Sequence, residues 1–326
     1  MKTRHLLFQS LFAVFTVFAA SPALAQDAWP AKPVKLVVPF PPGGGTDLVA
    51  RAIGQKLSDR FKQPVVIDNR PGASTIIGTD AVAKAAPDGY TLLLSGSTSY
   101  SVNPALRAKL PYDPVKDLAP IAIVARAPLA LVVSGNAPWR TVNELVAAAK
   151  AKPKSVRYAS FGAGSGPQLA AELFALAGGV QLQEIPYKGS AQSTVALIGG
   201  EIEMGVDTVA SVAPQVRAGK LRALGIVGAT RSSLLPDVPT LAELKLPEAT
   251  FDAWYALAAP ARTPAPVVQA LLREVSAVMA DAGLQAQLRA QGMEPIVIGP
   301  QPFRAQMEGE IARYRALAHR VGIVAE

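Results

Sequence analysis

Two glycine-rich stretches carry the residues best suited to chemistry. In "VVPFPPGGGTDLVAR", residues 37–51, an apolar run ends at Phe40-Pro41-Pro42, passes through Gly43, Gly44 and Gly45, and enters a helical pattern at Thr46 and Asp47. "SFGAGSGPQLAAEL", residues 160–173, repeats the arrangement with Ser160, Phe161, Gly162, Gly164 and Ser165, then Pro167, a residue suited to a first helical turn. Glycine tolerates positive φ and lets the backbone approach a ligand. The helix start adds unpaired N–H groups and a partial positive charge. Together they make an anion site, and two of them facing one cleft would suit a carboxylate. Two independent strand-to-helix turns would use the same residues without any ligand.

Other chemistries fail on spacing or composition. A dinucleotide fingerprint needs a small residue where Leu48 stands, and no G-K-[ST] follows a P-loop spacing. The chain has 2 histidines, His5 and His319, and 0 cysteines, so a His/Cys zinc site and most histidine-dependent triads are excluded. No G-x-S-x-G or S-x-x-K nucleophile motif occurs. Asp47 and Asp207 could form a carboxylate pair of the glycosidase kind, but each is more simply a loop-bonding or capping residue. No enzyme activity, cofactor or metal is expected. The formal charge is +8, yet the densest basic run, Lys150, Lys152 and Lys154, lacks interleaved aromatics, so no nucleic-acid partner is expected.

The elements that must position these loops alternate strand with helix. Strands are expected at residues 34–39, 65–67 and 92–94. Between them Leu48, Val49, Ala52, Ile53 and Leu57, then Ile76, Ile77, Ala81 and Val82, recur at helical spacing. Such apolar strands between amphipathic helices predict a parallel sheet covered on both faces. The run 121–133 is too long for one strand and holds Pro128, so it reads as two strands meeting at a bend. A second block follows: a capping box at Thr141 and Glu144, strands at 156–159, 182–185, 204–206 and 221–227, and helices at 168–176 and 193–198. A second long apolar run, 251–259, follows another capping box, Thr240 to Glu243. Helices over 266–280 and 302–318 close the chain.

Two long apolar runs bracketing a central block predict an α/β architecture of two doubly wound lobes joined by two crossing strands. Two sequential domains without a return crossing would be the alternative. The expected division is 26–127 plus 253–326 for one lobe and 128–252 for the other. Ligands of such sheets bind at the carboxyl ends of strands, here the cleft between lobes. Residues 1–25 read as a secretory signal peptide: Lys2 and Arg4, an apolar stretch over 6–20, and Ala23-Leu24-Ala25 before the cut. A periplasmic location is therefore expected, without disulfides.

Several long motifs in order resemble one family: "VPFPPGGGTDLVAR", "DNRPGASTIIGTDAVAKAAPDGYTLL", "YASFGAGSG", "PYKGSAQSTVALIGGEIEMGVD" and "GKLRALGIVGATRSSLLPDVPTLAE". The chain is similar to Bug-type receptors of tripartite tricarboxylate transporters over nearly all of residues 26–326. The resemblance implies a two-lobed periplasmic-binding-protein-like receptor that closes on a small carboxylic acid or amino acid. It implies a first-lobe loop of Pro42, Gly43, Gly44, Thr46 and Asp47, with Ser97 beside it. In the second lobe it implies Ser160, Gly162, Gly164 and Ser165, then Tyr187, Lys188 and Gly189 at the next helix, and Asp207 facing the cleft. Phe40, Phe161 and Trp254 are candidate walls or ordinary core. Asp47 and Asp207 would face ligand hydroxyl or ammonium donors, or pin their own loops. Gln168 departs from the family, whose members often carry histidine there, and Phe161, Ala163 and Gly166 replace residues that are often polar. A monomer is expected, working with a membrane permease; a receptor reporting to a sensor kinase is the alternative.

Overall fold

The computed structural model describes residues 29–162 and 164–322, so the expected signal peptide lies outside the described residues. The chain begins β1 (Val34–Val38), α1 (Gly45–Phe61), β2 (Val65–Asn69), α2 (Ile76–Ala83) and β3 (Thr91–Gly96). A π-helical turn (Thr98–Val102) leads to α3 (Asn103–Leu106), α4 (Pro114–Asp117) and β4 (Leu118–Ala127). Then come β5 (Leu129–Ser134), α5 (Val142–Ala151), β6 (Arg157–Ser160), α6 (Gly166–Gly178), β7 (Gln183–Pro186), α7 (Ser190–Gly199), β8 (Met204–Thr208), α8 (Val209–Arg217) and β9 (Leu221–Ile226). After a 3-10 turn (Pro247–Ala249) the chain ends with β10 (Ala253–Pro260), α9 (Ala265–Met279), α10 (Ala282–Ala290), β11 (Glu294–Ile298) and α11 (Pro300–Val321).

These strands form two sheets, ordered β11-β4-β10-β3-β1-β2 and β7-β6-β8-β5-β9. The long run over 121–133 bends where expected: proline has no N–H for a ladder, and β4 gives way to β5 across Pro128. The chain returns to the first sheet through Phe251, whose N–H donates to Val227 O at 3.0 Å, and continues as β10. The sheets are mixed, against the expectation of a wholly parallel one. β2, β1 and β3 run parallel, as do β7, β6 and β8, but β10 is antiparallel to β3 and β4 and β5 is antiparallel to β8 and β9. A strand that enters its sheet from the other lobe arrives from the end at which the parallel strands leave, so it must run against its neighbours.

The box at Thr240 forms, with Thr240 N–H donating to Glu243 Oε2 at 2.7 Å and Glu243 N–H to Thr240 Oγ1 at 3.1 Å. It caps only a turn, because residues 241–245 do not continue into a helix. At Thr141 the same chemistry opens a true helix, α5, whose Glu144 N–H donates to the cap hydroxyl.

Each sheet buries both faces. Leu36, Val49, Ile53, Leu94 and Leu271 form one core of the first lobe; Val37, Leu93, Tyr100, Trp254 and Phe303 form its other face. Trp254 is 1% exposed and stacks on Tyr100 at 5.4 Å between centroids, so it is core rather than a cleft wall. α11 belongs to both lobes. Its Phe303 and Met307 pack on the first lobe, while Tyr314, Leu317 and Ala318 join an apolar cluster with Leu173 and Phe174 of α6 and with Phe251.

Candidate functional site

β1 delivers the chain into Pro41, Pro42, Gly43 and Gly44, all exposed, and α1 starts at Gly45. Gly43 has φ +84°, a conformation that costs a residue with Cβ about 1–2 kcal/mol. A Cβ there would meet nothing within 4 Å, so the loop faces open space. Gly45 is the opposite case: a Cβ would lie 2.9 Å from Met293 Cε and 3.0 Å from the Tyr255 hydroxyl. The α1 backbone must therefore approach the sheet closely, and its first-turn N–H groups, Gly45, Thr46 and Asp47, have no intrahelical acceptor. Thr46 is buried beside the Tyr255 hydroxyl.

Asp47 is the anchor of this loop. Its Oδ2 accepts from Gly43 N–H at 2.9 Å and from Arg51 Nε at 2.8 Å, and its Oδ1 accepts from Asn69 Nδ2 at 2.9 Å. Asn69 Nδ2 also reaches Phe40 O at 3.1 Å. Burial pushes the Asp47 carboxyl up, but the Arg51, Gly43 and Asn69 donors outweigh it and hold the group below its ordinary range. These bonds tie Asp47 to Gly43, Arg51 and Asn69 within the first-lobe loop.

The second loop is closed on itself more completely. Gly162 and Gly164 adopt φ of +96° and +76°. Phe161 N–H donates to Ser165 Oγ at 3.2 Å, Gly162 N–H to Ser160 Oγ at 3.3 Å, Gly164 N–H to Gln168 Oε1 at 2.8 Å, and Ser165 N–H to Gly162 O at 3.1 Å. From sequence alone these N–H groups are the natural carboxylate donors, but they are already spent inside the loop. The half-buried Ser165 hydroxyl accepts from the Phe161 and Gln168 N–H groups and keeps its own proton to give, whereas Ser160, which holds the Gly162 N–H, is fully buried. Gln168 Nε2 continues to Glu184 Oε2 at 2.9 Å, so the residue that departs from the family pattern braces the loop.

Tyr187 N–H donates to Ser160 O at 2.9 Å, tying the end of β7 to the end of β6. Lys188 is exposed beside it, and Gly189, with φ +152° and open space where a Cβ would be, starts α7. Asp207, the next-to-last residue of β8, is 6% exposed and takes the Ser190 hydroxyl on Oδ2 and Thr208 N–H on Oδ1 at 2.7 Å. Burial raises its carboxyl above the usual range despite those donors.

The first-lobe residues thus gather around Asp47 and Asn69, and the second-lobe residues around Ser160 and the start of α7. Ser97 is buried at the end of β3, next to β1 in the sheet. Phe40 and Phe161 are half-buried. Sequence reasoning missed Arg51, although it stands one helical turn after Asp47, and missed Ser190, at the first position of α7. It also missed Ala73, Ser74 and Thr75, three successive residues at φ +46°, +53° and +78°. No glycine marks them. Asn103 Nδ2 holds Ser74 O at 2.7 Å, and a buried hydroxyl chain through Thr75, Ser99 and Ser95 lies beneath.

The family model described as the tripartite tricarboxylate transporter family receptor matches residues 49–323. Protein BugT of Bordetella pertussis is 38% identical over 317 residues, 96% of this chain and 97% of its own. The R. palustris protein Rpa4515, solved with adipate, superposes with a TM-score of 0.76 at 35% identity, covering 91% of this chain and 99% of its own. MatC of Rhodopseudomonas palustris, solved with bound malate, gives 0.71 at 30% identity over 89% and 99%.

Proposed function

Since this chain belongs to the tripartite tricarboxylate transporter receptor family, a family of solute receptors and not of enzymes, we propose that it binds a small carboxylated solute, an organic acid or amino acid, between its lobes. We further propose that it works in the periplasm and hands that solute to a tripartite tricarboxylate-type permease. One observation carries the reading: both lobes end parallel strands in helix-opening loops whose glycines Gly43, Gly162 and Gly189 front open space. The adipate and malate carried by two similar proteins support the ligand class. Among the described residues no helix is long and apolar enough to cross a membrane.

The lobes divide, in this proposal, at residues 127/128 and 252/253. The first lobe offers α1 first-turn N–H groups and the Thr46 hydroxyl; the second offers the Ser165 hydroxyl, with Lys188 and the start of α7 nearby. Ligand that touches both lobes favours the closed state by its differential affinity for it. The test is native mass spectrometry of gently purified protein, followed by a thermal-shift panel of carboxylates, amino acids and sugars. A carried or stabilising acid supports the proposal; stabilisation by a neutral sugar alone, with none by any acid, overturns it. Unchanged acid affinity in both Gly162→Val and Thr46→Ala would remove these loops from the site.

A further inference from the structure

We propose that the first lobe carries a second small-molecule site, outside the cleft and independent of it, for an organic phosphate: a dianionic head on an apolar body. A cavity of about 420 Å³ lies between α11 and the chain that runs from α3 to α4, and it shares no residue with either glycine loop. That volume falls within the range of about 300–1,000 Å³ usual for small-molecule sites. Three cations line it, Arg107, Lys116 and Arg315, against one carboxylate, Asp113. Leu110, Val115 and Ile311 line it too. Each is half-buried, so apolar surface is left for a ligand to cover.

Each cation is oriented by a bond to its surroundings. Arg315 Nη2 donates to Pro104 O at 3.0 Å, an uncharged acceptor that takes one of the five guanidinium N–H groups. Among the described residues no carboxylate pairs with Arg315. Lys116 Nζ lies 2.9 Å from Asp113 Oδ2, while Asp113 Oδ1 takes the Val115 and Lys116 N–H groups at 3.0 and 3.3 Å. Arg107 Nε donates to Asn103 Oδ1 at 3.4 Å. The walls are braced as well: the Tyr112 hydroxyl donates to Ser99 O at 2.8 Å, and Arg304 Nη1 to Val115 O at 2.6 Å. The site is therefore built before a ligand arrives, which lowers the cost of binding. Its excess of positive charge calls for more than one negative charge in return. A phosphate monoester brings nearly two at neutral pH, on three acceptor oxygens. A guanidinium fork meets such oxygens in pairs, and an ammonium meets them as a point charge.

The test is titration calorimetry at low ionic strength with phenyl phosphate, inorganic phosphate, benzenesulfonate and benzyl alcohol. Phenyl phosphate is expected to bind one site per chain with a Kd of about 1 mM or tighter. The head without its ring, the monoanion and the neutral alcohol should each bind more weakly by about tenfold or more, roughly 1.4 kcal/mol. Two variants locate the site. Arg315→Glu reverses one charge of the lining, and Ala108→Trp fills the cavity from an exposed position with every charge kept. Each should weaken phenyl phosphate by about tenfold or more while the urea midpoint of the protein stays in place. Three results overturn the proposal. One is no saturable binding of phenyl phosphate. Another is equal binding by any of the other three probes. The third is phenyl phosphate binding that Ala108→Trp leaves unchanged, which would put the ligand elsewhere, the cleft included.

Discussion

Replacing Asp47 by alanine tests whether that carboxylate is a structural pin. The substitution strands two donors, the N–H of exposed Gly43 and Nδ2 of half-buried Asn69, that now meet Asp47 at 2.9 Å each. A hydrogen bond to a charged acceptor is worth about 1.5–3 kcal/mol net. The Arg51 arm is half-exposed and adds nothing to the sum. Gly43 is itself exposed and can turn to water, so the loss should sit near the lower end, about 3 kcal/mol. At about 2–4 °C per kcal/mol, the melting temperature should fall by roughly 6–12 °C. Urea denaturation of the unliganded protein checks this, and every acid ligand should weaken together.

The acid side gives a second arm. A carboxyl held below its ordinary value of 3.8 contributes stability that is complete above that pH and is lost as pH falls through the folded value. The gap between native protein and Asp47→Ala should therefore be constant at neutral pH and close only below about pH 3.8. An unchanged denaturation midpoint, or a loss confined to amino-acid ligands, would refute the pin and make Asp47 a ligand group.

Asp207 should behave with the opposite sign: its raised carboxyl means that acidification from neutral toward 3.8 relieves a cost, so Asp207→Asn should lack that gain in urea midpoints across the range. In Gly292→Val, a Cβ at φ +75° would lie 2.6 Å from Ala210 Cβ and 3.0 Å from its Cα, across the two lobes; small-angle scattering should show a larger radius of gyration, and an unchanged one refutes the contact. Trp254→Phe removes the indole donor that meets half-buried Glu310 at 2.9 Å and should cost about 1–3 kcal/mol in denaturation. Gln168→Leu frees Gly164 N–H, and its amide should exchange roughly fivefold to tenfold faster, the loss of one ordinary hydrogen bond.

What could be read from the residues was what local chemistry decides. The Pro128 bend, the Thr141 cap and both glycine loops follow from a ring without an N–H, a hydroxyl three residues before a carboxylate, and backbones without Cβ. β11 escaped because Pro295 argues against a strand; only the free edge of β4 makes one, with Glu294 opposite Arg126. α8 escaped because Pro214 stands inside it. In the site, the residue types were legible and their bonding was not. Asp47 is pinned by Asn69, 22 residues away, and Asp207 by Ser190, 17 residues away. Whether a carboxylate or an N–H is free for a ligand depends on such partners, which the tertiary fold alone supplies.

The shared helix α11 turns the molecule into a closed mechanical linkage. Two strands alone are a joint that can bend and also twist. α11 is a third strut, seated on one plate through Phe303 and Met307 and on the other through Leu317 and Ala318. Tyr314 leans on Phe251 at 5.5 Å between centroids, and the Arg313 guanidinium donates to Thr250 O just before the return strand. Twisting would shear these seats, while bending about a line beside them would only roll them. In the proposed closure, work done by a ligand would flow into a single coordinate, and the outer faces of both lobes would move by one reproducible stroke, the kind of signal a docking protein could gauge from outside.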